Sequence, residues 1–102
     1  MLQFDWDPEK AASNKAKHGV AFTEAATAFG DPLSLTVPDP EHSTGEARFI
    51  LIGLTYLGRL VVVAHLESDL SVRIISARSA TTTERNFYEQ EKEVFSVTGF
   101  NY

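Results

Sequence analysis

A chain of 102 residues with 43% hydrophobic content holds material for one core and not two, so a single compact domain is expected over residues 1–102. Nine basic against fourteen acidic residues give a formal charge of -5, which argues against a general polyanion binder. The absence of cysteine excludes disulfides, thiolate metal sites and a cysteine nucleophile. No basic segment leads into an apolar stretch at the start, and the longest apolar run, LVVVAHL at 60–66, is far too short to span a bilayer; a cytoplasmic protein with no membrane attachment is expected.

LQFDW at 2–6 alternates apolar and polar and predicts a short strand with Leu2, Phe4 and Trp6 on one face. Asp7-Pro8-Glu9 then reads as an N-cap, a proline at the first helical position and an acid at the positive end of the helix dipole. That helix should end near His18, because Gly19 stands where a left-handed stop is wanted. Phe22, Ala25, Ala26 and Phe29 follow helical spacing in a short second helix, which Gly30-Asp31-Pro32 terminates. LSLTV at 33–37 is a possible strand, and PDPEHSTGE at 38–46, which carries no apolar side chain, is expected to be a surface loop.

Three strands follow at 47–54, 59–66 and 71–78, joined by turns around Tyr56-Leu57-Gly58 and Ser68-Asp69, and connections this short predict an antiparallel meander. Thr81 to Glu84 is a capping signature ahead of RNFYEQEKEVF, a helix expected to bury Phe87, Tyr88 or Val94. The order β-α-α-β-β-β-β-α therefore describes one α+β domain, with an antiparallel sheet of about four to five strands and helices over one face. The last residues, SVTGFNY, fit no element clearly.

Acidic residues cluster at 5–9, 31–46 and 89–93, whereas Arg48, Arg59, Arg73, Arg78 and Arg85 all lie in the strand-rich second half, so a local basic patch is compatible with the negative total. No phosphate-loop, dinucleotide-binding or nucleophile-elbow motif is present. The three histidines show no local metal-ligand spacing, so no metal site and no cofactor are expected.

Four stretches, FDWDPEKAASNKAKHGVAFTEAATAFGDP, PDPEHSTGEARFILIG, RLVVVAHLE and RIISARSATTTERNFYE, together resemble the BrnT family of bacterial type II toxins over roughly residues 4–89. The resemblance implies a RelE-like fold and an endoribonuclease that cleaves RNA and stops translation. It also implies neutralisation by a BrnA-type antitoxin with a ribbon-helix-helix part, which would be the toxin's only connection to DNA. VFSVTGFNY runs past the matched stretch, with 95–102 as an extension.

Metal-independent RNA cleavage uses the 2'-hydroxyl as nucleophile and needs a proton acceptor, a proton donor and cations for the extra phosphate charge. Arg78 and Arg85 flank the connection from the last strand to the last helix and are the expected catalytic cations, their guanidinium forks matching phosphate oxygens. Arg73 differs from Arg78 in strand parity, so the two share a face only if the strand ends, twists or bulges between them. His65 is either a hydrogen-bonded core histidine or an acid–base group, His42 either a plain loop residue or a catalytic one, and Tyr88 either packs on the sheet or meets RNA. Arg48, Arg59, Arg73, Lys17 and His18 complete the candidate RNA contacts, although capping of the first helix is a sufficient role for Lys17 and His18. For every arginine the plain alternative is a solvated charge or an ion pair with the abundant acids. A non-catalytic toxin homologue acting as a protein-binding module is the competing functional expectation, and a metal-dependent enzyme built on the histidines and loop carboxylates is a third.

Overall fold

A computed structural model describes residues 2–39 and 47–99, with side chains as far as Glu91. The elements are β1 (Gln3–Asp5), α1 (Pro8–His18), α2 (Phe22–Thr27) continued by a 3₁₀ turn (Ala28–Gly30), β2 (Leu35–Pro38), β3 (Arg48–Leu54), β4 (Leu60–Glu67), β5 (Ser71–Ser79) and α3 (Thr82–Gly99). The strands form one five-stranded sheet in the order β1-β5-β4-β3-β2.

β2 to β5 pair antiparallel, but β1 pairs parallel with β5, so the sheet is mixed rather than wholly antiparallel. The physical reason lies in the connection. α1 and α2 carry the chain across the sheet from β1 at one edge to β2 at the other, where it runs opposite to β1, and three successive antiparallel pairings then bring β5 back beside β1 in the same direction.

Local chemistry sets the helices. The Asp7 carboxylate accepts from the Glu9 amide at 2.9 Å, Pro8 opens α1, and Gly19 closes it at φ 72°. An L side chain at Gly19 would meet a steric cost there, and the left-handed turn lets the Gly19 amide satisfy the Lys15 carbonyl at 2.9 Å. Gly53 answers a different need. The 3₁₀ turn crosses so close to β3 that a Cβ at Gly53 would sit 3.0 Å from the Ala28 carbonyl oxygen.

The core has two parts because the helices cover both sheet faces, not one. α1 and α2 cover the first face, where Val20, Phe22, Ala25 and Ala28 pack on Leu51, Val61, Val63, Val72, Ile74 and Ala77. α3 covers part of the second, where Tyr88 packs with Ile52, Leu60 and Val62. Phe87, the alternative anchor, remains 44% exposed, and Val94 lies outside the described side chains. Of the surface loop expected at 38–46, Pro38 instead pairs as the last residue of β2 and Asp39 is buried beside Arg48, while 40–46 lie outside the described residues.

β1 is too short to pair with the whole of β5, and the middle of α1 completes the edge. The Asn14 side chain donates to the Ala77 carbonyl at 2.8 Å and to the Val20 carbonyl at 3.0 Å, and accepts from the Ala77 amide at 3.1 Å. A buried side-chain amide thus supplies the pairing that a strand would have given Ala77.

Candidate functional site

Between Ala64 and His65 the pairing of β4 with β5 shifts: Ala64 opposes Ser76, but His65 opposes Ile74. Ile75 is therefore an extra residue, a bulge in β5, and it reverses side-chain parity across itself. Arg73, opposite Leu66, and Arg78, opposite Val62, consequently stand on the same sheet face, the one α3 partly covers.

Register places Arg48 there as well. Arg48 opposes Leu66, which opposes Arg73, so the two arginines are two strands apart, roughly 10 Å at ordinary strand spacing. The row behind them is Val37, Ile50, Ala64 and Ser76, a floor of small and apolar side chains in which Val37 is 44% exposed. Arg48, Arg73 and Arg78 thus frame the part of this face beyond Tyr88, with Arg85 exposed on the first turns of α3.

Each framing arginine faces a carboxylate. Arg78 donates from both terminal nitrogens to Glu84, at 2.7 and 2.8 Å, and Arg73 meets Asp5 at 3.2 Å. Arg48 Nε lies 3.4 Å from Asp39, buried without a hydrogen bond among the described residues. Arg85 makes no ion pair among the described residues. The negative total found in the sequence therefore acts here, since the acids tune down the potential of the cationic frame.

The Arg78 fork, helped by the Thr81 amide, holds the Glu84 carboxyl down at about 2 against burial, which pushes the other way. A depressed carboxylate stabilises the fold above its unfolded value and loses that contribution as pH falls through the folded value. Arg78→Ala is accordingly expected to cost about 1 kcal/mol at neutral pH, discounted for the solvent exposure of the pair, and progressively less from about pH 4.5 down to about pH 2. Urea unfolding across that range checks it; a cost that does not shrink with acid would remove the pair as its source.

The other candidate residues lie apart from the frame. His65 is fully buried on the opposite face, edge-on to Phe29 at 4.8 Å and stacked with Phe49 at 6.1 Å. Its Nδ1 lies 3.2 Å from the Val63 carbonyl and its Nε2 2.9 Å from the Glu67 carboxylate. Strand parity shared with Val61 and Val63 puts it there. Tyr88 is 1% exposed and donates its hydroxyl to Asp31 at 2.7 Å, and burial together with that carboxylate pushes the phenol well above its ordinary range.

Arg59 donates from Nε to Glu24 at 2.9 Å, from its terminal nitrogen to the same carboxylate, and to the Gly19 carbonyl at 3.1 Å. Thr55 also donates to Glu24, at 2.7 Å, so this arginine clamps the β3–β4 hairpin to the α1–α2 corner. Lys17 and His18 are exposed at the end of α1, and His42 lies outside the described residues.

Sequence reasoning missed Asn14, Glu24 and Asp31. Asp31 accepts from the Leu33 and Leu54 amides as well as from Tyr88, each at 2.9 Å or less, and so ties the sheet end to α3. Among the described residues no three histidines, aspartates or glutamates gather as a metal-ligand set. No described helix is long and apolar enough to cross a membrane.

The fold and this face define a small α+β domain that presents arginines from several strands of a mixed sheet. The family model described as the ribonuclease toxin, BrnT, of type II toxin-antitoxin systems matches residues 6–84, well over half of the chain, and the chain belongs to that family. Membership carries a ribonuclease toxin role at family level and implies an antitoxin partner. The crystal structure of the Brucella abortus ribonuclease toxin BrnT, at 1.1 Å resolution, is similar in fold. The TM-score is 0.62 at 22% identity, and the match covers 80% of this chain and all of that one. No curated protein matches the chain.

Proposed function

We propose that this chain is an endoribonuclease of RelE-like type that cleaves RNA without a metal ion, blocks translation in the bacterial cytoplasm, and is held inactive by a BrnA-type ribbon-helix-helix antitoxin. The observation that carries the proposal is the Ile75 bulge, which brings Arg73 and Arg78 onto one face with Arg48. Cations approaching from three directions are what a pentavalent phosphate needs as negative charge builds on its oxygens.

In this reading Arg78 is the principal catalytic cation, reached by the scissile phosphate when the phosphate displaces the exposed side of its pairing with Glu84. Arg85 adds a second cation from the helix, and Arg48 and Arg73 bind the flanking backbone. His65 and Tyr88 hold the core on either side of the sheet and do no proton transfer, Arg59 is a fold clamp, and any part for His42 rests on its place beside Asp39 in the chain.

Purified chain incubated with single-stranded RNA, with and without EDTA, tests it. Cleavage that survives chelation, giving 2',3'-cyclic phosphate or 3'-phosphate ends, is the expected result. Chelation that abolishes cleavage would overturn metal independence, and RNA left intact in both arms would favour the protein-binding module.

A further inference from the structure

We propose that a cleft between α1 and the free edge of β5 binds a phosphodiester of the RNA strand next to the segment lying on the arginine face. The proposal rests on the reading above and adds a subsite to it.

The cleft exists because β1 ends at Asp5, leaving β5 beyond Arg73 without a neighbouring strand on that side among the described residues. α1 fills the gap imperfectly. Asn14 reaches Ala77 at one end, while the bulged Ile75 and its neighbour Ser76 form the floor of a cavity of about 210 Å³.

Lys10, Ser13 and Lys17 line its wall, one stripe at helical spacing in which the two lysines stand two turns apart, roughly 10 Å along the axis. His18 completes the rim. The lining thus offers two ammonium groups, an imidazole and polar groups of Ser13, Asn14 and Ser76, and among the described residues no carboxylate.

Charge balance sets this cleft apart from the three framing arginines. In a protein of net charge -5, the three framing arginines all have acidic partners, whereas Lys10, Lys17 and His18 have none among the described residues. The negative end of the α1 dipole opposes an anion here, but the Lys15 carbonyl is satisfied by the Gly19 amide, and the two lysines outweigh the half-charge that remains.

Continuity with the arginine face comes from Ser76. It stands in the sheet row between Arg73 and Arg78 and also lines the cleft, so a strand crossing that row at β5 passes directly to Lys10 and Lys17. The spacing of the lysines suits successive contacts along one backbone.

Two measurements on the intact chain test this. Inorganic phosphate titrated into ¹⁵N-labelled protein is expected to shift the amides of Lys17 to Gly19 and of Ile75 and Ser76 saturably, and Lys10→Ala with Lys17→Ala is expected to abolish the shifts. For single-stranded RNA of a dozen nucleotides, the double variant is expected to bind about tenfold more weakly at low salt. Its log K against log salt should be flatter by about 1.4, two contacts at about 0.7 each.

Lys15→Ala controls for charge. It removes a cation from the same helix, but its ammonium points to the Gly19 carbonyl rather than into the cleft, so a smaller loss is expected. Equal losses from Lys15→Ala and Lys17→Ala would overturn the site in favour of diffuse charge.

Phosphate shifts with RNA affinity unchanged in the double variant would overturn the RNA source and leave a site for free phosphate. Absence of phosphate shifts in the unmodified chain would overturn the cleft itself. RNA bound through the cleft but not cleaved would sink the nuclease reading alone, because this subsite is read through binding.

Discussion

Replacing Tyr88 by alanine is expected to lower stability by about 3–5 kcal/mol, the usual cost of deleting a large buried ring. Its ring is 1% exposed among Ile52, Leu60 and Val62, and among the described residues it is the only side chain of α3 that is buried. Removing it takes away the buried apolar contact of the helix with the sheet and leaves the partly solvated Arg78–Glu84 fork to hold it. In a domain of this size that corresponds to a fall of roughly 15–30 °C in Tm, a large part of the ordinary stability of small proteins.

Tyr88→Phe separates ring from hydroxyl. It keeps the packing and loses one hydrogen bond to Asp31, whose Oδ2 still accepts from the Leu54 amide at 2.9 Å. The expected cost is about 1–2 kcal/mol. Urea unfolding with an unchanged slope measures both variants. The phenylalanine variant, still folded, is expected to retain RNA cleavage. A loss on the order of 10²-fold in that variant, the scale of a missing proton-transfer group, would move the hydroxyl from packing to chemistry.

The elements with local punctuation were legible in the sequence. Asp7-Pro8 and Gly19 bracket α1, and Thr81 with Glu84 forms the expected capping box at the start of α3, the Thr81 hydroxyl accepting from the Glu84 amide at 3.2 Å. The parallel partner of β1 was not legible, because three residues carry no mark of which edge they will join.

The arginine face was legible only as a condition. Parity separates Arg73 from Arg78 unless β5 bulges, and nothing about Ile75 in RIISAR distinguishes a bulged isoleucine from a paired one. Asn14 carried an unused signal. An asparagine amid alanines and lysines is a poor helix former, and its amide is tolerated there because it completes the edge of β5. Arg59 shows the limit from the other side, since its partner Glu24 lies 35 positions away and no local pattern connects them.

That difference between Arg59 and Arg78 gives the second large effect. Arg78→Ala is expected to reduce kcat/KM for RNA cleavage by about 10²–10³-fold, the range for removing one preorganised charge from a transition state. It should remain folded, because its pair with Glu84 is partly solvated and costs only about 1 kcal/mol to break. Arg78→Lys keeps the charge but not the fork, so it is expected to recover only part of the loss. Arg59→Ala should behave in the opposite way. It strands Glu24, a carboxylate held below its usual range by the Arg59 hydrogen bond and only 6% exposed, so about 2 kcal/mol of stability is lost, a buried-pair cost discounted because Arg59 itself is 40% exposed. Cleavage per folded molecule should stay near that of the unmodified chain. Denaturation midpoints and single-turnover cleavage measured on the same preparations separate the two. If Arg59→Ala loses cleavage while Arg78→Ala keeps it, the catalytic face is the one covered by α1 and α2, and the bulge serves packing alone.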